Sequence, residues 1–349
     1  EGVFSPGSVD RIMQGLQEKI NTVLSDLDSQ QSYIVIFVID YNDHLYYPGE
    51  VPALVEYFQQ KLEQNLGGGQ KSTKKLNESR QNCSICGIDT SGAVTLDKAF
   101  KFATFDKVSV LAGLDKKEIP YSFAVCHSCY EQISSGREKV DRALTKRGLL
   151  PDILIWAIPE AVGSGEKDLF DRFLISWEDK MDAGKVAGTG EKTEDLYFTR
   201  LAKVGQGLIF HFVFWEKNNA QEIVHLMVED VPPERLAHLE TAWQKATREF
   251  AGWVRPTDLD AAIRSLYSTL NAFAGKSSAD KMVFRDFALK VIGSMLQGEA
   301  LPIDIFKQLI VPRLPRLIFE SNSKTVGLSM RYAELWVEYM NRLNQEVSK

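Results

Sequence analysis

The last third of the chain has hydrophobic residues at every third or fourth position, which is the period of an amphipathic helix. Short segments containing Gly and Pro interrupt this pattern. The helices that it predicts cover residues 236–254, 259–273, 282–296, 303–319 and 328–347. Together they indicate an all-helical bundle of four or five helices over residues 233–349, with Met and aromatic side chains in its core.

The N-terminal part mixes helical and strand patterns. Apolar residues at helical spacing predict helices over residues 9–30 and 52–66. Between them, residues 33–39 form a continuous run of mostly β-branched apolar residues, which is typical of a strand buried on both faces. The segment 67–82 is rich in Gly and Lys and is predicted to be a basic connector.

Residues 130–232 alternate between the two patterns. We expect a basic helix over 130–150, a buried strand over 153–158, a helix over 169–181 and two strands within 196–215 that turn at Gly205-Gln-Gly207. His211 alternates with Phe residues, and we interpret it as a sheet residue whose side chain has a hydrogen-bond partner.

These patterns predict an α+β protein with four segments. Residues 1–80 and 151–232 form a mixed α/β part, the second segment being rich in strands and completing the first. Residues 81–150 are an insertion within this part. Residues 233–349 form the C-terminal helical bundle.

All four cysteines of the chain lie in two Cys-x-x-Cys motifs, Cys83-Ser-Ile-Cys86 and Cys126-His-Ser-Cys129. Two such motifs supply the thiolates of a tetrahedral zinc site. The 39 residues between them form a longer insertion than a compact zinc ribbon has. Disulfides, a redox pair and coincidence are the alternatives, and whether His127 replaces one cysteine stays open. Because four thiolates leave no open coordination position, Zn²⁺ is predicted to be structural.

Composition and charge narrow the class of protein. With 44% hydrophobic and 25% charged residues the chain is globular, and it has neither an apolar run of about 18 residues nor a signal-peptide pattern, which predicts a cytoplasmic protein. The net charge is −6, yet residues 71–150 carry +5 and residues 235–349 carry +4. This asymmetry is compatible with basic faces for phosphates, and also with a mixed solvated surface. Because the chain begins at Glu1, we expect that an N-terminal part is missing.

Three motifs for enzyme chemistry are present only in part. Asp40 and Asp43 follow the first predicted strand, where carboxylates could bind a divalent ion, but no second acidic cluster accompanies them. Residues 69–73 lack the adjacent Gly-Lys of a phosphate-binding loop. Pro151-Asp152 is not followed by the Glu-x-Lys that a restriction-type nuclease needs. None of the three motifs is complete, and a nuclease that uses Asp40 and Asp43 stays as the weaker alternative.

Three stretches resemble a known family. Asp106-Lys107, the run Cys126-His-Ser-Cys129-Tyr-Glu-Gln-Ile-Ser-Ser-Gly136 and Leu149-Leu-Pro151 are similar to the large subunit of type I-B CRISPR Cascade, and so is the order of the predicted elements. The resemblance implies a non-catalytic subunit of an RNA-guided complex that contributes to recognition of the motif beside the target and to R-loop stabilisation. The implied partners are the crRNA-containing Cascade backbone and small subunits, target DNA and the helicase-nuclease, without a membrane.

Basic residues in two regions are predicted to contact the nucleic-acid backbone. In the insertion and the connector before it they are Lys71, Lys74, Lys75, Lys101, Lys107, Arg137, Arg142, Lys146 and Arg147; in the bundle they are Arg264, Lys281, Arg285 and Lys290. The alternation of aromatic residues and lysines over 100–107 favours either a single-strand channel or the small core of a zinc-domain hairpin. The alternative function is a zinc-containing nucleic-acid-binding module of a transcription or repair system.

Overall fold

The computed structural model describes residues 14–15, 17, 19, 38–58, 81–90, 94–96, 99–101, 123–162, 168–177, 196–219, 221–250 and 257–347. These residues form an α+β protein, in which a helical region follows a mixed part that carries four neighbouring cysteines. The predicted fold class is confirmed. The chain divides into two compact units, Glu1–Gln70 and Lys71–Lys349. The segment boundaries after residues 80, 150 and 232 stay predictions.

The first unit contains a short hairpin. Strands β1 (Ile39–Tyr41) and β2 (His44–Tyr46) pair antiparallel. Asn42 and Asp43 join them with φ angles of 53° and 60°, and positive φ at both turn residues is the geometry of a type I′ turn. A 3₁₀ turn, Pro48–Glu50, leads into helix α1, residues 52–58.

The predictions for the first unit meet mixed outcomes. Val38 and Ile39 are 40% and 47% exposed, so the predicted burial of strand 33–39 is wrong at its last two residues. The rest of that strand lies outside the described residues, as do helix 9–30 apart from four helical positions and residues 59–66 of the second predicted helix. The described part of the second helix is confirmed. The connector 67–82 is described only at its last two residues, which form a strand.

The second unit is built on a four-stranded antiparallel sheet. Two very short strands, β3 (Gln81–Asn82) and β4 (Asp89–Thr90), pair separately before it. In the large sheet, strand order follows chain order. Its strands are β5 (Thr145–Leu150), β6 (Ile153–Ala161), β7 (Leu208–Asn218) and β8 (Gln221–Val231). Strand β8 is therefore an edge strand, and so is β5.

Both faces of this sheet carry buried apolar side chains. One face contributes Ile155, Phe212, Phe214 and Val228 to the large core, as expected from alternation along a strand. The opposite face carries a smaller cluster of Trp156, Val213 and Trp215. Trp156 and Val213 are direct cross-strand partners, and Phe100 and Val140 pack against their face.

Nine helices are described in the second unit. They are α2 (His127–Ala143), α3 (residues 168–177), α4 (Tyr197–Val204), α5 (Pro233–Glu249), α6 (Leu259–Ala274), α7 (Ser278–Gln297), α8 (Ile303–Ile310), α9 (Leu314–Glu320) and α10 (Ser323–Val347). Among the described residues, no helix is both long enough and apolar enough to cross a membrane.

The C-terminal helices α5–α10 form a bundle as predicted, but with six described helices instead of four or five. Its centre is an aromatic cluster of Trp243, Trp336 and Tyr339, with ring centroids 5.2–5.3 Å apart. These rings are fully buried, which confirms that the aromatic stripes form core. The predicted helix 303–319 is broken by the 3₁₀ turn Val311–Arg313, because the prolines in Val-Pro-Arg-Leu-Pro lack the N–H that a continuous helix needs.

Two predictions between the sheet strands are wrong. The first strand expected within 196–215 is helix α4, whose residues Phe198 and Leu201 are fully buried at helical spacing. At its end, a Cβ on Gly205 would lie 2.5 Å from the Phe210 ring, so only glycine fits where the helix meets β7.

The basic helix expected over 130–150 also differs. It ends at Ala143, and residues 145–150 form strand β5. Leu149 and Leu150 are buried in the sheet core, and Gly148 has a φ angle of +70° at an irregularity of the strand. Burial of these two leucines in the sheet outweighs the local helical pattern.

Candidate metal centre and its surroundings

The first cysteine motif forms a tight turn between β3 and β4. The amide N–H of Cys83 donates to the carbonyl of Ile88 at 2.9 Å, and that of Gly87 donates to the carbonyl of Cys83 at 2.9 Å. Gly87 has a φ angle of +72°, a backbone conformation in which a residue with a side chain would be strained. This turn directs Cys83 and Cys86 toward the second motif.

The second cysteine motif is the beginning of helix α2. Cys126 is the N-cap residue, and its Sγ accepts the amide N–H of Cys129 at 3.5 Å. The amide N–H of Cys126 in turn donates to Cys83 Sγ at 3.3 Å. An isolated bridge between Val94 and Val125 holds the chain beside the cap. The N-terminus of α2 and the β3–β4 turn are therefore in contact through the Cys83 sulfur.

The four sulfur atoms form one cluster. Their ligand atoms all lie within 4.8 Å of one another, and the Sγ atoms of Cys86 and Cys126 are 3.7 Å apart. Four sulfurs bound to one zinc ion at about 2.3 Å are separated by about 3.8 Å. All four cysteines are free thiols, so the cluster does not contain a disulfide. The donor set therefore fits a tetrahedral ion that prefers sulfur.

The thiols of the cluster differ in acidity. Burial raises the pKa of Cys83, but backbone N–H groups outweigh this effect and lower its pKa to about 6. The hydrogen bond with Cys126, followed by burial, raises the pKa of Cys129 to about 12. Without a cation the cluster would lose its first proton readily and keep its last. A bound metal ion is what would allow all four sulfurs to be thiolates.

His127 lies beside the cluster without being part of it. Its Nε2 is 4.0 Å from a carboxylate oxygen of Glu131 one turn along α2, and its side chain is 40% exposed. The four-ligand group contains the cysteines only. The geometry therefore favours four thiolates over a mixed site with histidine.

Arg137 joins helix α2 to the sheet. Its guanidinium donates to both carboxylate oxygens of Glu222 on β8, with one of the N···O distances 3.1 Å, and also to the carbonyl of Ala99. It lies 5.2 Å from the ring centroids of both Phe100 and Trp156. Arg137 is therefore engaged inside the protein, although the sequence suggested it as a nucleic-acid contact.

Lys146 is also turned inward. It is 6% exposed, and its Nζ lies 3.9 Å from Oδ1 of the fully buried Asp260 on α6. Burial raises the pKa of Asp260 to about 7, against the opposing effects of Lys146 and of the Phe198 amide. This amide donates to Asp260 Oδ2 at 3.0 Å. Lys146 thus faces a buried carboxyl group at the junction of the sheet and the bundle.

The remaining predicted contacts fall into three groups. Side chains on the surface of the second unit are those of Lys101, Arg142, Arg147, Lys281 and Lys290. Half-buried are Arg285, which contacts Glu216 at 3.2 Å, and Arg264. Outside the described residues are Lys71, Lys74, Lys75 and Lys107. Five of the predicted contacts are therefore exposed to solvent, three between residues 101 and 147 and two in the bundle.

The other candidate ligands from the sequence do not form a metal site among the described residues. Among the described residues, the cysteine cluster is the only group of three or more potential ligands, and Asp40 and Asp43 do not belong to one. His211 on β7 is 2.7 Å from Glu160 on β6, which confirms its interpretation as a sheet residue with a partner.

Sequence reasoning missed the acidic partners, Glu222 and Asp260. Glu222 follows directly after the turn of the β7–β8 hairpin, a position that is usually exposed. Asp260 lies in the first turn of α6. A carboxylate at this position normally stabilises the helix by interacting with its dipole, and it does so from the surface. Both carboxylates are buried because distant elements of the chain pack over them, which the local sequence pattern does not show.

The part of the chain around the cysteine cluster matches a known protein family. Residues 80–231 match the family described as CRISPR-associated protein TM1802 (cas_TM1802) central domain. The match includes both cysteine motifs, helix α2 and the whole four-stranded sheet. It supports a CRISPR-associated role for the protein. A comparison with curated proteins returns no match.

Proposed function

We propose that the protein is a non-catalytic large subunit of a type I-B RNA-guided CRISPR surveillance complex. The observation that carries this proposal is the CRISPR-associated match, because it spans the metal cluster and the sheet that supports it. In this role the protein contributes to recognition of the motif beside the target, stabilises the opened strands and provides a docking surface for the helicase-nuclease.

The cysteine cluster is proposed to hold structural Zn²⁺. Cys83, Cys86, Cys126 and Cys129 would bind the ion and, with four thiolates, leave no position for water. Held by these four cysteines, an ion would link the β3–β4 turn to the N-terminus of α2 and so stabilise this part of the fold. The protein groups that orient the thiolates are the amides of Cys126 and Cys129.

Nucleic-acid contact is proposed for the exposed basic side chains. Arg142 and Arg147 flank the junction between α2 and β5, whereas Lys281 and Lys290 lie on α7 in the bundle. Lys101 is exposed beside Phe100. Neutralising phosphates with such side chains releases counterions, so binding should weaken steeply as salt rises. Arg137 and Lys146 are not part of this proposed surface, because their charges are used internally.

The test is assembly. The full chain is co-expressed with the other subunits encoded beside it and with a guide RNA, and the complex is purified through a different subunit. We expect this chain in the complex, and we expect that leaving it out abolishes binding to target DNA flanked by the correct motif. A complete complex that forms and binds its target equally well without the chain would contradict the proposal.

A zinc-containing module of a transcription or repair system is the second candidate. The observation that favours it is the cysteine cluster together with exposed basic residues, neither of which requires a guide complex. The isolated, zinc-loaded chain would then bind duplex or single-stranded DNA by itself. Equal affinity with and without the guide complex would favour this candidate over the first.

A further inference from the structure

Glu222 on strand β8 contacts both helix α2 and the segment 99–101. It lies at the start of the edge strand β8, and its side chain is only 7% exposed. Its carboxylate accepts both forks of the Arg137 guanidinium and also the amide N–H of Lys101 at 2.8 Å. One buried carboxylate therefore fixes a helix and a separate chain segment to the sheet.

Both of these parts lead directly to the cysteines. Arg137 belongs to α2, whose N-cap is Cys126 and whose first turn contains Cys129. Residues 99–101 follow a turn in which the amides of Ala99 and Phe100 donate to the carbonyl of Leu96 at 3.0 and 2.8 Å. Two residues before this turn, Val94 bridges to Val125, the neighbour of Cys126. The segment is thus held at one end beside the cluster and at the other by Glu222.

The arrangement around Arg137 is directional. The guanidinium lies over the rings of Phe100 and Trp156, and its Nε donates to Asp141 at 3.3 Å, so its fork has one favoured orientation. Asp141 also accepts the indole N–H of Trp156 at 2.9 Å. A planar fork held in this way places α2 on the sheet at a defined position, which a flexible lysine would not do.

We propose that Glu222 is a positioning residue for the metal centre, and that metal binding and attachment of α2 to strand β8 stabilise each other. The proposal rests on the proposed metal function. Without Glu222, α2 and residues 99–101 would lose their common anchor, and the second cysteine pair would no longer be held opposite the first. Because linkage is reciprocal, removing the ion must weaken the attachment of α2 by the same factor.

The coupling between Glu222 and the metal centre also affects a cleft beside helix α2. Helix α2 forms one wall of a cavity of about 630 Å³, whose other walls include Ile158 on β6 and Leu174 on α3. Gly136 lies on this wall of α2 with no atom near the position of a Cβ. The ion and Glu222 would together set the width of this cleft, since both determine where α2 lies.

The experiment compares the zinc affinity of the full chain with that of Glu222→Gln, using competition with a chromophoric chelator. Glu229→Gln is the matched control, because Glu229 is an exposed residue of the same strand. We expect Glu222→Gln to weaken zinc binding about tenfold, a typical size for coupling between two separate sites, and Glu229→Gln to leave it unchanged. Arg137→Lys, which keeps the charge and loses the fork, should show a similar loss and serves if Glu222→Gln does not fold.

Amide hydrogen exchange supplies a second readout. Removing zinc from the wild-type chain should increase exchange in α2 and at the start of β8, whereas in Glu222→Gln the increase should be confined to the cysteine motifs and α2. A folded Glu222→Gln chain that binds zinc within twofold of wild type overturns the coupling alone. A wild-type chain that binds no zinc overturns the metal proposal, and the coupling with it.

Discussion

The region around the four cysteines and the helical bundle are held together by different forces. In the bundle, long helices bury large apolar side chains such as Trp243, Trp336 and Tyr339 against one another. Around the cysteines, the described chain has short strands and one helix, held by sulfur contacts and by the Arg137–Glu222 pair. Burial of apolar area is spread over many residues, whereas removing one partner of a buried polar contact leaves the other partner unpaired.

The largest expected effect of a single change therefore lies at the cysteines. Cys126→Ser removes one thiolate and the N-cap sulfur of α2. Structural zinc contributes about 10 kcal/mol or more to the folding of small metal sites, so zinc binding should be lost and α2 should lose its protection from hydrogen exchange. The bundle helices should stay protected. Ser128→Ala, in the same motif, is the control.

Retention of one equivalent of zinc by Cys126→Ser would show that the cluster does not need all four thiolates. Loss of protection throughout the bundle would contradict the contrast between the two regions.

The next largest effect belongs to the bundle core. Trp336→Ala removes a fully buried indole whose N–H donates to Ser265 Oγ at 2.9 Å, and we expect a loss of about 3–5 kcal/mol in the free energy of unfolding. Denaturant unfolding measures it. Zinc affinity of the folded fraction should not change, because no described contact of this side chain reaches the cysteines. Trp336→Phe should cost less, since most of the buried area remains.

These two regions also explain what could be predicted from sequence. The bundle helices follow from apolar periodicity, and the cluster follows from cysteine spacing, since each signal is repeated several times in the chain. Strand β5 and helix α4 could not be predicted, because Leu150 and Phe198 each have a place in a core that distant elements complete.

The internal ion pairs were hidden for a related reason. A basic residue on a helix or strand has the same local pattern whether it faces solvent or a buried carboxylate. Arg137 and Lys146 look like Arg142 and Arg147 in sequence, and only their partners distinguish them.

A third effect concerns the junction of the sheet and the bundle. Burial raises the pKa of Asp260 to about 7, so the folded chain binds a proton there more tightly than the unfolded chain does. The contribution of Asp260 to stability is therefore greatest below about pH 4 and falls as the pH rises to about 7, by up to about 4 kcal/mol.

Asp260→Asn should remove this contribution. The free energy of unfolding of wild type minus that of Asp260→Asn should decrease between pH 4 and pH 7, as measured by denaturant unfolding at a series of pH values. Asp304→Asn, at an exposed position in the bundle, should show no such trend. A difference that increases with pH would indicate that Asp260 is ionised throughout and is stabilised by Lys146.

The smallest effect on stability, and the sharpest on function, is expected at the exposed basic residues. Arg142→Gln at the C-terminal end of α2 and Lys290→Gln in the bundle should each change the free energy of unfolding by less than about 0.5 kcal/mol, because both side chains lie on the surface. In the assembled complex, loss of one phosphate contact should weaken target binding severalfold and reduce the slope of log K against log salt by about one. If only Arg142→Gln has this effect, the nucleic acid contacts the C-terminal end of α2; if only Lys290→Gln does, it contacts the bundle. Unchanged affinity and salt slope for both variants would contradict a nucleic-acid contact at these two positions.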